Sequence, residues 1–408
     1  MTSTMRETTS GKRILSGMRP TGRLHLGHYH GVLKNWLRLQ EANDCFFFVA
    51  DWHALTTTYE DPRGIPESTW EMVVDWLAVG IDPEKAILFV QSAVKEHAEL
   101  HLLLSMITPL PWLERVPTFK DQQQKLADRN LATYGFLGYP LLQSADILIY
   151  RADGVPVGED QLSHLDITRQ VARHFNWLYG READHTEKVQ ASLKKMSKKA
   201  AGQFRKAKSA WQEGGDEEAL KGGQELLAAQ ANLSREDYER LLGELEGRGR
   251  EILPEPEPLL TPDAKFPGLD GQKMSKSYGN TIGLREDPES VTEKIRTMPT
   301  DPARVRRNDP GTPEKCPVWE MHRVYTDDET RAWAHEGCTT AGIGCVDCKQ
   351  PVIDAVLAEQ APIRERANEL SARPERVWEI VVEGNQHASR IAEETLTEVR
   401  GAMGLNPG

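Results

Sequence analysis

Cysteine is scarce in this chain, at five of 408 residues. In an intracellular protein so few thiols are not expected to form disulfides. Long apolar runs are missing too. None reaches the length needed to cross a bilayer, so no membrane partner is expected. An excess of positive charge is also lacking. The formal net charge is -12, which argues against indiscriminate nucleic-acid binding. An RNA partner would then need a local basic patch. Residues Met1 to Lys12 are rich in Ser and Thr. They lack the apolar core of a secretion signal and the arginine enrichment of a transit peptide. They read as a frayed cytoplasmic tail, residues 1–12, and the chain carries no internal repeat. What remains is the composition of an ordinary soluble protein, long enough for two or three domains.

From residue 13 to 177, strand-like runs alternate with amphipathic helices. Arg13–Gly17, Phe46–Ala50 and Ala86–Val90 read as strands, and a helix surrounds Trp70–Val79. That alternation predicts an α/β fold with a parallel sheet covered on both faces. Leu178 to Arg250 changes character. It is rich in Lys, Glu, Ala and Gln, poor in aromatics, and broken by Gly-Gly at 214–215 and 222–223. It reads as an inserted helical hairpin or partly mobile arm. Leu253-Pro254-Glu255-Pro256-Glu257-Pro258 reads as a stiff linker closing a 178–257 insertion. Residues 258–286 return to the first domain, and 287–408 are mainly helical.

Two short motifs carry the chemistry. His25-Leu26-Gly27-His28 follows a strand and a loop with two breakers, Pro20 and Gly22, and opens a helix whose apolar face is Leu33, Trp36, Leu37 and Leu39. Exposed N–H groups at a helix start favour an anion. Gly27 lets a nucleotide approach the backbone. His25 and His28 can donate to phosphate oxygens. Two surface histidines capping a helix are the plainer alternative. The second motif is Lys273-Met274-Ser275-Lys276-Ser277, with glycines 268, 271 and 279 around it. Such flanks suit a loop that closes over a ligand. Lys273 and Lys276 can follow charge onto departing pyrophosphate. A solvated basic turn is the alternative. Lys195-Met196-Ser197-Lys198-Lys199 copies this motif inside a helical stretch without glycines, and no catalytic role is assigned to it. Its basic neighbourhood, including Lys194, Arg205, Lys206 and Lys208, reads as a solvated helical face, with contact to RNA phosphates as the alternative.

Three further stretches complete the pattern: Phe119-Lys120-Asp121; Tyr139 to Tyr150, running into an apparent strand at Ile147-Leu148-Ile149; and Val157-Gly158-Glu159-Asp160-Gln161, at a helix start. With Gly17-Met18-Arg19-Pro20-Thr21-Gly22, the set resembles the bacterial tryptophanyl-tRNA synthetases, class I aminoacyl-tRNA synthetases. The resemblance implies a Rossmann-type catalytic domain, a helical anticodon-binding domain and a cytoplasmic homodimer. It implies ATP, Mg²⁺, tryptophan and tRNA(Trp) as ligands and partners. Arg19, Gly27, His28, Gly158, Asp160, Gln161 and Lys273–Ser277 would then hold ATP, with Lys120 reaching its phosphates. His25, His28, Lys120, Lys273 and Lys276 would be the catalytic set. Asp146 stands where the family reads the indole N–H, beside Tyr139 and Gln143. A buried carboxylate needs a donor, and the indole N–H is one. A tyrosyl-type synthetase, an H-x-G-H nucleotidylyltransferase and a non-catalytic RNA-binding paralogue are the other readings.

Four cysteines cluster as C-x21-C-x6-C-x2-C at Cys316, Cys338, Cys345 and Cys348. Four thiols in a Gly- and Pro-rich segment suggest a metal site. The spacing resembles the 4Fe–4S site of some bacterial tryptophanyl-tRNA synthetases. Zinc is the alternative. Cys45, in an apolar strand, reads as inert core.

Overall fold

The computed structural model describes residues 11–116, 133–181, 184–247, 250–260 and 266–405. Its centre is a five-stranded sheet in the order β3-β2-β1-β4-β5. The strands are β1 (Arg13–Met18), β2 (Asp44–Val49), β3 (Ala86–Val90), β4 (Gly154–Val157) and β5 (Glu257–Leu260). β1 pairs parallel with β2, and β2 parallel with β3. The run Cys45-Phe46-Phe47-Phe48-Val49 is buried throughout, as a strand covered on both faces requires. In the β1–β2 register Gly17 sits opposite Phe48. A Cβ on Gly17 would lie 2.5 Å from the Phe48 ring, so the ring occupies the space a side chain would need.

Helices follow the strands. They are α1 (Leu26–His28), a π-turn (Tyr29–Leu33), α2 (Lys34–Leu39), α3 (Asp51–Thr58), α4 (Ile65–Val79), α5 (Glu96–Ser105), α6 (Leu110–Glu114), α7 (Tyr134–Ile149) and α8 (Leu162–Tyr179). α4 ends at Gly80, whose φ of 108° is left-handed, a conformation glycine adopts without strain. Further on come α9 (His185–Lys194), α10 (Lys198–Gly214), α11 (Glu217–Ala228) and α12 (Arg235–Glu246). After β5 stand α13 (Pro288–Thr297), α14 (Pro317–Tyr325), α15 (Asp328–Thr339), α16 (Cys345–Ser371) and α17 (Pro374–Ala402).

The chain gathers into two compact units. The first takes the described residues up to Ala93, with Pro156–Glu159 and Leu260–His387. In it, helices after residue 287 pack directly on the α/β layers. α16 lies along α4, and Gly384 of α17 sits over β3. The Asn385 carboxamide oxygen accepts from the Val90 N–H at 2.9 Å. The second unit takes Val94–Val155, Asp160–Leu259 and the residues from Ala388 onward. There α7 packs between α5 and α8.

Three local expectations are corrected. The apolar stretch Ile147-Leu148-Ile149 is the end of helix α7, not a strand. α7 is buried along most of its length, so its sequence shows no polar face from which a period could be read. The 178–250 segment is four helices around a core of its own, including Val189, Leu193, Phe204, Leu227, Leu241 and Leu245. Gly214 and Gly215 do end a helix, but Gly222 and Gly223 lie inside α11. A Cβ on Gly223 would lie 2.8 Å from Leu245, so this glycine permits close helix packing. The linker start is anchored as well. Asn176 bonds the Ile252 N–H, the Leu253 N–H and the Leu253 carbonyl.

Gly384→Ala should unfold the chain more easily, because its Cβ would fall 1.8 Å from the Leu88 carbonyl oxygen. A backbone clash of this kind costs about 1–3 kcal/mol. Gly202→Ala, in α10 with open space around it, should instead stabilise by up to ~1 kcal/mol. Urea melts of the two variants check this, and equal midpoints would contradict it.

Candidate active site

The two phosphate motifs meet in the first unit. The loop after β1 reaches the Leu24 N–H, which donates to Asp75 Oδ2 at 3.3 Å. Asp75 is buried in α4, and Arg285 bonds its other oxygen. Burial pushes its carboxyl up to about 6, against the pull of Arg285. Leu24–Leu26 then pairs with Ile282–Leu284. The Leu26 N–H donates to Ile282 O at 3.0 Å, and the Leu284 N–H to Leu24 O at 2.9 Å. This ladder brings the lysine loop, just upstream of Ile282, against the histidines. Lys276 Nζ donates to Thr21 O at 3.0 Å. A Cβ on Gly27 would lie 3.0 Å from the His25 ring and 3.3 Å from Met274 Cβ, so glycine permits the contact between the motifs.

His25 is extended at the helix start, and its ring lies 3.7 Å from that of His28 between centroids. Burial pushes the His25 imidazole down to about 4 and the His28 imidazole to about 3, with Lys276 adding to both and His25 to His28. Both rings are therefore neutral at pH 7. His28 Nδ1 accepts from the His25 N–H at 3.2 Å, so its proton sits on Nε2. His25 Nδ1 is buried without a hydrogen-bond partner. Burial lowers Lys276 too. The region holds donors that an anion would satisfy.

The lysine loop has an internal scaffold that its sequence did not announce. Asn280 is buried; its oxygen accepts from the Ser275 N–H at 2.8 Å. Its amide donates to Asp270 at 2.7 Å and to Lys273 O at 3.2 Å. Gly271 and Gly279 take positive φ on either side. Met274 is buried against Gly27, while Lys273, Ser277 and Arg19 are exposed and Ser275 half-buried. The motif copy at 195–199 is not within a helix. It joins α9 to α10, with Ser197 as the cap of α10 and Met196 in the four-helix core. A capping serine and a core methionine account for its pattern.

Just past the first motif, His30 in the π-turn donates to Glu359 of α16 at 2.9 Å and stacks on Phe266. Lys34 and Tyr325 bond the same carboxylate at 2.9 and 2.8 Å. Burial alone would raise Glu359; these donors outweigh it and bring the carboxyl to about 2.

In the second unit, Asp146 is 1% exposed on α7. Its Oδ1 lies 2.6 Å from His97 Nδ1, a partner that no signal in the sequence marks. Tyr139 OH meets His164 Nε2 at 3.0 Å, and Gln143 Oε1 meets His164 Nδ1 at 2.9 Å. Gly158 is half-buried, just before a 3₁₀ turn at Glu159–Gln161 that leads into α8. Lys120 and the Asp160 side chain lie outside the described residues.

The four clustered cysteines line one recess with Thr300, Asp301, Arg304, Val318 and Lys349, of about 300 Å³ counting its open side. Cys316 caps α14, Cys338 ends α15, and Cys345 and Cys348 open α16. Burial, and then the neighbouring cysteines, push the Cys348 thiol up to about 12. Burial raises Cys338, with Arg304 opposing. Lys349 is buried and donates to the Arg296 and Met298 carbonyls at 2.6 Å. His322 Nε2 lies 3.0 Å from Cys348 O and 3.4 Å from its sulfur. Among the described residues no three His, Cys, Asp or Glu close on a single metal ion. Cys45 is buried in β2, its thiol also pushed up to about 12 by burial.

Residues 7–212 and 230–358 match the family model of class I tRNA synthetases (W and Y). The tryptophan–tRNA ligase of Ralstonia nicotianae is 61% identical over 97% of this chain and 98% of that protein. The tryptophan–tRNA ligase of Thermotoga maritima is 45% identical over 96% of this chain and 99% of its own length. The crystal structure of tryptophanyl-tRNA synthetase from Campylobacter jejuni, complexed with ADP and tryptophan, superposes with a TM-score of 0.71 at 28% identity. It covers 96% of this chain and all of that one.

The buried histidines predict an acid-sensitive fold. Both rings bind protons more readily unfolded, near 6.5, than folded. Their contribution to stability is complete above pH 6.5 and is lost as pH falls toward 4 and 3. His28→Asn keeps an acceptor for the His25 N–H but cannot titrate. Its unfolding free energy should fall less steeply below pH 6.5. Urea melts across that range measure the slope, and an unchanged slope would refute a His28 that stays neutral in the folded chain.

Proposed function

The chain belongs to the class I tRNA synthetases of the W and Y family, and from that premise we infer that it is a tryptophan–tRNA ligase. It activates tryptophan with ATP and transfers it to the 3′ end of tRNA(Trp). The observation that carries the reading is the ladder joining Leu24–Leu26 to Ile282–Leu284, which sets two uncharged histidines and Lys276 at one place. In the first step a tryptophan carboxylate oxygen bonds to the α-phosphorus of ATP. The bridging bond to the β-phosphate breaks, and pyrophosphate leaves with the electron pair. The carboxylate is already ionised, so no general base is needed. Catalysis is positioning and stabilisation of phosphate charge. Lys276 and the N–H groups of His25 and His28 supply the donors, with Mg²⁺ entering on the triphosphate. In the second step the terminal ribose 2′-hydroxyl of the tRNA attacks the adenylate carbonyl, and AMP leaves.

Asp146 is the indole acceptor in this reading. What supports that role is its position in the family motif on α7; the carboxylate is buried, His97 meets one of its oxygens, and the indole N–H would be a further donor. The enzyme acts as a homodimer. The cysteine recess holds a 4Fe–4S cluster. Support comes from four thiols lining one recess, the all-cysteine ligand set that such clusters take. Zinc can take the same four ligands and is the alternative.

ATP–pyrophosphate exchange with single amino acids tests the activity. Tryptophan should support exchange, with tyrosine and phenylalanine weaker by about 10⁴-fold, the scale on which a synthetase site built around a hydrogen bond rejects substrates that lack the partner. Asp146→Ala should erode that selectivity. Lys276→Ala should slow adenylate formation by orders of magnitude, while Lys198→Ala, at the start of α10, should leave it nearly unchanged. Equal losses in the two lysine variants would sink the assignment of the second motif.

Protein purified without oxygen should be brown, with about four irons and four sulfides per chain. Cys338→Ser should bleach it. Colourless protein with one zinc per chain would replace the cluster with zinc.

A further inference from the structure

Asp146 is not alone in the interior of the second unit. His97 on α5 and Tyr150 at the end of α7 are each 0% exposed. His97 Nδ1 lies 2.6 Å from Asp146 Oδ1, and His97 Nε2 lies 2.7 Å from Tyr150 OH. Asp146 and Tyr150 are four residues apart on one helix, so a single turn brackets both ring nitrogens. Burial raises the Tyr150 phenol well above its ordinary range, with Asp146 and Glu96 adding to it, so it keeps its proton. With Asp146 ionised, one arrangement satisfies both bonds of a neutral ring. Nδ1–H donates to Asp146, and the Tyr150 O–H donates to Nε2.

We propose that His97 is a positioning residue for tryptophan recognition: its Nδ1–H fixes the direction of the Asp146 carboxylate, and Tyr150 fixes the ring tautomer. The inference rests on the reading of Asp146 as the indole acceptor. A carboxylate offers about four acceptor positions, so the bond from His97 does not exhaust it. Without that bond the carboxylate loses a contact that sets its direction and is freer to rotate. A rotated carboxylate offers the indole N–H a poorer partner, and a displacement of about 1 Å is enough for a loss of ~10²-fold.

The test is exchange activity of the full chain with tryptophan and with its analogue bearing sulfur in place of the indole N–H. His97→Leu should raise the tryptophan KM by about 10- to 100-fold and cut the preference over the analogue to match, with the ATP KM unchanged. His97→Asn, whose amide N–H can stand in for Nδ1–H, should recover most of the preference. Tyr150→Phe should lose part of it. A folded His97→Leu with wild-type preference overturns the proposal. So does a parallel rise in the ATP KM, which would mark general loosening. If His97→Leu does not fold, Tyr150→Phe decides, and an unchanged preference there overturns it. Asp146→Ala separates the two levels. Retained preference in that variant removes the acceptor reading itself. Lost preference there, with none lost in His97→Leu, removes only the positioning role.

Discussion

Two backbone hydrogen bonds govern the region where the histidine and lysine motifs meet. The Leu26 N–H to Ile282 O and the Leu284 N–H to Leu24 O join segments more than 250 residues apart. They set the base of the lysine loop beside the histidines, and the Lys276 bond to Thr21 O and the packing of Met274 on Gly27 hold it there. Asp75 steadies the same strand pair from below, bonding the Leu24 N–H on one side and Arg285 on the other. The price is a carboxylate buried in α4, and Arg285 is what makes that tolerable.

Charge is arranged around this base in a consistent way. The histidines are kept uncharged by burial and by Lys276. A neutral imidazole presents a donor without adding to the repulsion around the lysine. A polyanion arriving there meets N–H groups that are already oriented, and it relieves the desolvation of Lys276. The chain as a whole is acidic, at -12. Under the proposed function, any attraction of phosphate would therefore be a local property of this strand pair and its loop, not of the net charge.

Much of this was legible in the sequence where the signal is local. β1 and β3 fall where the apolar runs of Arg13–Gly17 and Ala86–Val90 put them, and the parallel sheet followed from alternation. The placement of His25–His28 after a strand and loop and at a helix start was readable from its breakers and apolar face. What failed was local pattern inside an element buried along most of its length. α7 shows no polar face, so its end looked like a strand. What could not be read at all were long-range partners. His97 lies 49 residues from Asp146, and nothing around it in the sequence marks it as that residue's partner. Nothing in the sequence marks Asn280, whose carboxamide holds Ser275, Asp270 and Lys273 together. The motif copy at 195–199 misled only about its own location, since serine before a helix and methionine in a core produce the same letters.

The cysteine recess and the histidine motif share two helices. α14 begins beside Cys316 and ends at Tyr325; α16 begins at Cys345 and carries Glu359 further along. Tyr325 donates to the Glu359 carboxylate, and that carboxylate grips His30, two residues beyond His28. An α-helix the length of α14 is a stiff rod of about 14 Å. The recess and the histidine motif are thus anchored on the same two helices, with Cys316 at one end of α14 and Tyr325, which bonds the carboxylate that holds His30, at the other.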